Sequence, residues 1–342
     1  MRAILTLFTI IVFLSCKRGD IDPTPDPEPN LEDNVYATGK EGNPATACYW
    51  KGAQLIKLHT SNNSKITSEG KAIWVSGNDV FVAGEKLNDD LTEGVYWKNQ
   101  TELPLESGSD QAFISDLFVS SGDVYIAGSV SDGNDHKAAY WKNGKIVILS
   151  TNGIYTDAHG IAIDSNDVYV AGFEMGRTYK AILWKNGIRQ DLSGGNNSIA
   201  HDVEVSNNNV YIAGEVWNSV RNECDPVYWL NGALNSINHD EMYGRCPNLA
   251  IDGNDVYFPL TIWTEYESKI AAYWKNGVVS KLGEPAITNW STSVKVNNGD
   301  VYLSGLTGPS STQYKAVYWK NGVKVVLPAT GPVSSATGIF IK

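Results

Sequence analysis

The sequence predicts an all-β protein, a seven-bladed β-propeller with four antiparallel strands in each blade. Three observations carry this. First, the motif Tyr-Trp-Lys-Asn-Gly, or a close variant, recurs seven times, with its indole at Trp50, Trp97, Trp141, Trp184, Trp229, Trp274 and Trp319. The spacings of 47, 44, 43, 45, 45 and 45 residues are those of a repeat architecture. Second, the motif Asp/Asn-Val-Tyr-x-Ala-Gly runs in phase with it, through Val35, Val80, Val124, Val168, Val210, Val256 and Val301. Third, the repeat is out of frame at its two ends. Residues 34–39 read as the second strand of a unit with no first strand, and residues 335–341 as a first strand with no second. The last strand is therefore expected to complete the first blade and close the ring, leaving no unpaired inner edge.

The unit between residues 156 and 194 shows why each strand forms. Residues 158–163 are a short apolar run, and Asp164-Ser165-Asn166-Asp167 is a turn. Residues 168–172 make the second strand and 180–184 the third, ending on Trp184. Lys185-Asn186-Gly187 follows, and Asn-Gly is a strong hairpin signal. Residues 188–192 make the fourth strand. The strands have no clean polar face, which suits blades covered on both sides by neighbours. The repeated Trp, Tyr and Val are then packing residues.

Ahead of the repeats, Arg2 and the apolar run from Ile4 to Leu14 read as a signal peptide over residues 1–15. Phe13-Leu14-Ser15-Cys16 is similar to a bacterial lipobox, which implies cleavage before Cys16 and lipid attachment to it. Residues 16–33 carry alternating prolines and read as an extended tether, with a reach on the order of 50 Å. The propeller is assigned to residues 34–342. The net charge of −11 excludes the basic footprint that nucleic-acid binding requires. Of the four cysteines, Cys48 occupies a small core position of the repeat. Cys224 and Cys246 are read as lying in adjacent loops, Cys224 between second and third strands and Cys246 in the following connection between blades, and are candidates for a disulfide in an exported protein.

The phrase Lys-Ala-x-Tyr-Trp-Lys-Asn-Gly, followed by a Leu-bearing strand and an apolar strand before Asn-Asp-Val-Tyr-Val-Ala-Gly, resembles the HAF-type extracellular repeats. It is also similar to uncharacterised propeller lipoproteins of Gram-negative bacteria. The resemblance implies a lipid-anchored protein at the outer membrane or cell surface. It lies in packing and turn residues, so it transfers no catalytic or ligand residue.

The tight turns between first and second strands, and between third and fourth, share one face, here the lower face. Lys51, Lys98, Lys142, Lys185, Lys275 and Lys320 place a basic ring there, either a solvated rim or a surface for anionic lipid. The longer, variable connections share the upper face, where binding residues are expected. Carboxylates such as Asp132, Asp157, Glu174, Glu215 and Asp225 gather on it. Trp217, Trp263 and Trp290 stand outside the repeat and are read as loop residues, with Tyr243, Tyr266 and Glu215 close by. Aromatic rings beside carboxylates suit a glycan or a protein anchor. A second constellation comes from counting positions: His159, His201, Asp116 and Asp202 fall where the first strands enter the central channel. Histidines and carboxylates there suit acid–base work on a polysaccharide. No catalytic motif, calcium loop, metal site or cofactor fingerprint is present in the sequence. The sequence thus favours a monomeric, membrane-anchored binding module for a glycan or an envelope protein. A hydrolase or lyase acting at the channel mouth and a structural subunit of an envelope complex are the alternatives.

Overall fold

The computed structural model describes residues 31–342 except 60–64, 90, 109–110, 150–154, 193, 195–196, 221–222, 238–245, 264–267, 284, 287 and 311. The signal segment 1–15, Cys16 and the tether as far as residue 30 lie outside the described residues. Among the described residues, twenty-eight strands form seven sheets, each of four antiparallel strands. Blade one is built from both ends of the chain: Ser334–Ile341 is its innermost strand, followed outward by Val35–Glu41, Thr46–Lys51 and Gln54–Lys57. The closing pair runs from Val35 opposite Ile341 to Glu41 opposite Ser334. Blades two to seven each use four consecutive strands. The first three strands of blade four run further at their upper ends than predicted, while the fourth does not. The four span Tyr155–Asp164, Asp167–Met175, Tyr179–Lys185 and Ile188–Asp191.

Seven apolar clusters fill the seven seams between blades, and each holds one repeat Trp. Trp184 of blade four, for example, packs with Tyr125, Ala127 and Ala138 of blade three. All seven indoles are 6 % exposed or less. The large ring fills the wedge that widens away from the channel, and truncating such a side chain costs about 3–5 kcal/mol.

The Asn-Gly turns adopt the left-handed conformation at both residues, as in Asn186 (φ 52°) and Gly187 (φ 77°), which is the type I′ hairpin. The same Asn also holds the other turn of its blade. Asn186 Nδ2 donates to Asp167 Oδ1 at 2.8 Å, while its Oδ1 accepts from Val168 N at 2.9 Å. Asn99, Asn143, Asn276 and Asn321 repeat both bonds on Asp79, Asp123, Asp255 and Asp300. The second oxygen of each of these aspartates takes the lysine: Lys98, Lys142, Lys185, Lys275 and Lys320 lie 2.7–3.1 Å from it. The lysine also lies over the aromatic ring of the Val-Tyr or Val-Phe motif, as Lys185 does over Tyr169 at 4.9 Å. Blade five lacks both charges, having Asn209 and Leu230 at these places, and Asn231 Nδ2 bonds Asn209 instead. The ring expected to be basic is therefore matched in these five blades by an equal ring of aspartates.

The repeated Gly of the second strand has a steric cause. Six of the seven innermost strands carry a β-bulge, between Ala158 and Gly160 in blade four and at the same level in blades one, two, three, five and seven. The bulge drives a backbone carbonyl toward the neighbouring strand. A methyl group on Gly172 would overlap the carbonyl oxygen of Asp157, and Gly84, Gly128, Gly214 and Gly305 are placed in the same way. Blade six has Leu260 at this position, and its innermost strand pairs only over Ala250–Asp252, below that level.

Asn186→Ala removes both side-chain bonds of the clasp and leaves in the left-handed region a residue without the short polar side chain that makes Asn tolerant of it. The expected loss is about 1–3 kcal/mol in urea unfolding, with a smaller loss for Asn186→Gly. Undiminished stability in Asn186→Gly, which removes both bonds without a left-handed penalty, would mean that the clasp bonds contribute nothing.

Candidate functional site

The bulges decide what faces the channel. A bulge sets two residues against one and re-aims a side chain. Here the extra residues are Lys71, Ser115, His159, His201, Thr292 and Thr337, and all six line the same cavity of about 350 Å³. Asp116 and Asp202 follow two of them and line it as well, so His159, His201, Asp116 and Asp202 do meet in one cavity. Trp74 and Phe118, with ring centroids 4.4 Å apart, lie toward its lower end.

Within the cavity the carboxylates also serve the ring. Asp116 Oδ2 accepts from Ile161 N of the next blade at 3.0 Å. Asp202 Oδ2 accepts from Leu249 N at 3.0 Å, and Asn248 Oδ1 from Val294 N at 3.0 Å. The three occupy equivalent positions, so an amide suffices for the tie. Two of the blades nevertheless use an acid. Burial pushes the Asp116 carboxyl up to about 6, against the pull of the Ile161 and Leu117 N–H groups and Lys295. Asp202 is raised by burial and further by Asp116. Lys295, 3.0 Å from Glu204, holds its proton more tightly than usual: burial opposes the charge, but Glu204, Asp202 and Asp116 outweigh it.

At the upper rim of blades three to five the histidines meet other groups. His159 Nδ1 lies 3.1 Å from Ala200 O, a pure acceptor, so Nδ1 carries the proton. Its ring stacks on His201 at 5.4 Å and 9°. Beneath His159 the chain needs glycine, because a methyl on Gly160 would come within 2.5 Å of Asp202 Cα. Asp157 Oδ2 sits 3.6 Å from His159 Nε2 and 3.7 Å from His136 Nε2. Burial alone would raise the Asp157 carboxyl, but the two imidazoles more than offset it and hold it well below the usual range. His136 in turn stacks on Tyr155 at 4.1 Å and 8°.

The predicted aromatic group separates into two. Trp217 is the last but one residue of the second strand of blade five (Asn209–Asn218) and is 39 % exposed. It borders a small pocket of about 230 Å³ with Tyr179, Asn197, Ile199, Glu215 and Cys224. Glu215 is buried there, 3.5 Å from His201 Nε2. Trp263 ends the second strand of blade six and meets Trp290 edge to face at 5.7 Å, with Lys269 Nζ 4.4 and 5.0 Å from the two rings. Trp290 is half-buried within the innermost strand of blade seven (Thr288–Asn297), not in a loop. Tyr243 and Tyr266 lie outside the described residues. Cys224 belongs to the third strand of blade five (Glu223–Leu230), not to a loop. Cys246 is fully buried with Sγ 3.7 Å from Asn248 O, and both cysteines are thiols in this structure. Sequence reasoning missed Tyr155, Phe173, Tyr179, His136 and Asn197. The first four sit where strands run on past the repeated core, and their only signal was that they do not repeat.

No family model matches the sequence, and no curated protein does. Solved structures match the fold. TolB from Acinetobacter baumannii aligns with a TM-score of 0.51 at 10 % identity, over 91 % of this chain and 68 % of that one. The propeller domain of the Trilobed protease from Pyrococcus furiosus aligns at 0.54 and 13 % identity, over 88 % and 96 %. An acylaminoacyl peptidase from Pyrococcus horikoshii aligns at 0.52 and 13 % identity, over 87 % of this chain and 52 % of its own. At such identities the likeness is one of fold. The Pyrococcus furiosus propeller has an open velcro topology, whereas this ring is closed by its C-terminal strand.

Asp116 gives a pH signature. Its native pKa is raised, so its stabilising contribution is complete below the ordinary carboxylate range and is lost as pH rises through about 6. Asp116→Asn keeps an acceptor for Ile161 N. It is expected to flatten the fall in urea stability between pH 4.5 and 7, by up to about 3 kcal/mol. Parallel pH profiles for the variant and the wild type would contradict this assignment.

Proposed function

We propose that this protein is an extracytoplasmic binding module, lipid-anchored through Cys16 at the outer membrane or surface of a Gram-negative bacterium. Its upper face recognises a glycan or an envelope protein. One observation carries the reading: Tyr155, Tyr179 and Trp217, each 39 % exposed, stand together on the upper rim of two adjacent blades. Trp263, 38 % exposed over Trp290, extends the face on the next blades. Exposed rings of this number are not needed for packing and suit an anchoring surface. The orientation fits a tether. Glu32, at the tether's end, bonds Lys320 at 2.6 Å and Tyr302 at 3.3 Å on the lower face, so the anchor leaves the upper face pointing away from the membrane. The lysine–aspartate pairing argues that the lower face is held there by the lipid rather than by charge.

The test uses wild type and Trp217→Ala/Trp263→Ala against a glycan array and against solubilised envelope proteins. The double variant is expected to lose at least tenfold of the signal, and an undiminished signal rejects the aromatic face. Cys16→Ser is expected to abolish metabolic labelling by palmitate; retained labelling rejects the anchor.

The meeting of His159, His201, Asp116 and Asp202 in one cavity, with Asp116 able to hold a proton near pH 6, favours a second reading as a polysaccharide-acting enzyme. That reading requires release of reducing ends from a polysaccharide panel by wild type and its loss in Asp116→Asn. No release from any member excludes it.

A further inference from the structure

We infer that the rim from Tyr155 to Trp217 is a preorganised platform for a neutral, linear oligosaccharide. This rests on the upper face being the binding face and names the ligand class and the residues that hold it. Tyr155 and Tyr179 both stand opposite Met175, one on each neighbouring strand. Directly opposed residues project to the same side of a sheet, so the two phenol rings share one face at one level, about 10 Å apart across two strand spacings. Phe173 is buried between them, 6.0 Å from Tyr155 and 5.3 Å from Tyr179, and supports both rings from below. The other side of Tyr155 rests on His136, which Asp157 holds in turn.

The third ring is locked to the second by one residue. Asn197 lies in the left-handed region at φ 63°. Its N–H donates to Tyr179 O at 2.7 Å, its Oδ1 accepts from Tyr179 N at 3.3 Å, and its carbonyl accepts from Trp217 N at 2.8 Å. Tyr179 belongs to blade four and Trp217 to blade five, so Asn197 fixes the spacing of the two backbones that carry the rings across a blade boundary. Backbones held this way lose little further freedom on binding.

The row has the chemistry of a sugar chain. A pyranose has an apolar C–H face and an equatorial girdle of hydroxyls. Tyr155 is stacked on both sides, by His136 and Phe173, and offers its edge and hydroxyl, so the stacking surfaces are Tyr179 and Trp217, with the phenol hydroxyls, the Asn197 amide and the rim of His136 as polar edges beside them. The rings are spread along the rim of two adjacent blades rather than gathered in a central cluster sealed by a surrounding rim, which is what a protein hot spot would show. Successive subsites add affinity with chain length, as linked sites do. Charge selects among glycans. The net charge of −11 sets a long-range field that disfavours anionic sugars.

The full-length protein is titrated calorimetrically with cellohexaose, chitohexaose and maltohexaose, with their disaccharides, and with hexagalacturonate. At least one neutral hexasaccharide is expected to bind, at least tenfold more tightly than its disaccharide and more tightly than hexagalacturonate. Trp217→Ala and Tyr179→Ala are each expected to weaken it at least tenfold, and Ile188→Ala on the outer edge to leave it unchanged. Asn197→Gly keeps the backbone conformation but drops the Oδ1 contact. It is expected to weaken binding severalfold while thermal unfolding stays within a few degrees of wild type. Equal affinity for disaccharide and hexasaccharide, preference for hexagalacturonate, or loss in Trp263→Ala with none in Trp217→Ala would each overturn the inference. If no sugar binds but envelope-protein capture is lost in Trp217→Ala, the glycan assignment falls and the binding face stands. If capture is also unaffected, both fall.

Discussion

Each seam between blades is filled by a single indole, and the ring depends on that contact. A four-stranded blade cannot bury both of its faces alone. Trp50, Trp97, Trp141, Trp184, Trp229, Trp274 and Trp319 each join their own blade to the preceding one, so neighbouring blades form a common core. Because the seams form a circle, the last must be made between the two ends of the chain. Trp50 does this, packing with Tyr302, Ala316 and Tyr318 of blade seven and donating Nε1–H to Pro328 O at 2.6 Å. The closing strand supplies the hydrogen bonds of the same join.

With the outer wedge filled, the inner strands crowd around the channel, and the bulges follow. A bulge bends its strand and pushes one carbonyl outward, so the adjacent strand can carry only glycine at that level. The sixth blade tests this within the same molecule. Where glycine becomes Leu260, the paired part of the inner strand stops short. The bulge also presents His159, His201 and their counterparts to the channel. A feature of backbone packing thus produces a polar cavity. Its carboxylates have a structural duty as inter-blade acceptors, which Asn248 shows can be met without charge.

Departures from the repeat carry the functional content, but in two grades. Asn209 and Leu230 depart together and preserve neutrality in the clasp. Tyr155, Tyr179, Trp217 and Asn197 depart without any compensating structural need. Their hydrogen bonds and stacking fix rings that remain open to solvent. The first kind is compensation within a conserved scaffold, while the second builds a surface.

The sequence by itself determined the number of blades, the strand order, the hairpin turns and the closure by the final strand. All of these follow from local periodicity and from turn residues whose conformational preferences act within a few positions. It also placed Asp116, Asp202, His159 and His201 at the channel, because the repeat serves as a ruler. Only the tertiary structure decided the rest. The pairing of Lys185 with Asp167, eighteen positions earlier, cancels a ring that looked basic when one turn was read alone. Trp290 proved to be a strand residue folded against Trp263, because the strands run on past the repeated motif. The platform from Tyr155 to Trp217 joins residues of two blades through Asn197, a contact that neither blade's sequence specifies. Spacing along a chain encodes what repeats, and contacts across blades that occur once are legible only when the blades are set side by side.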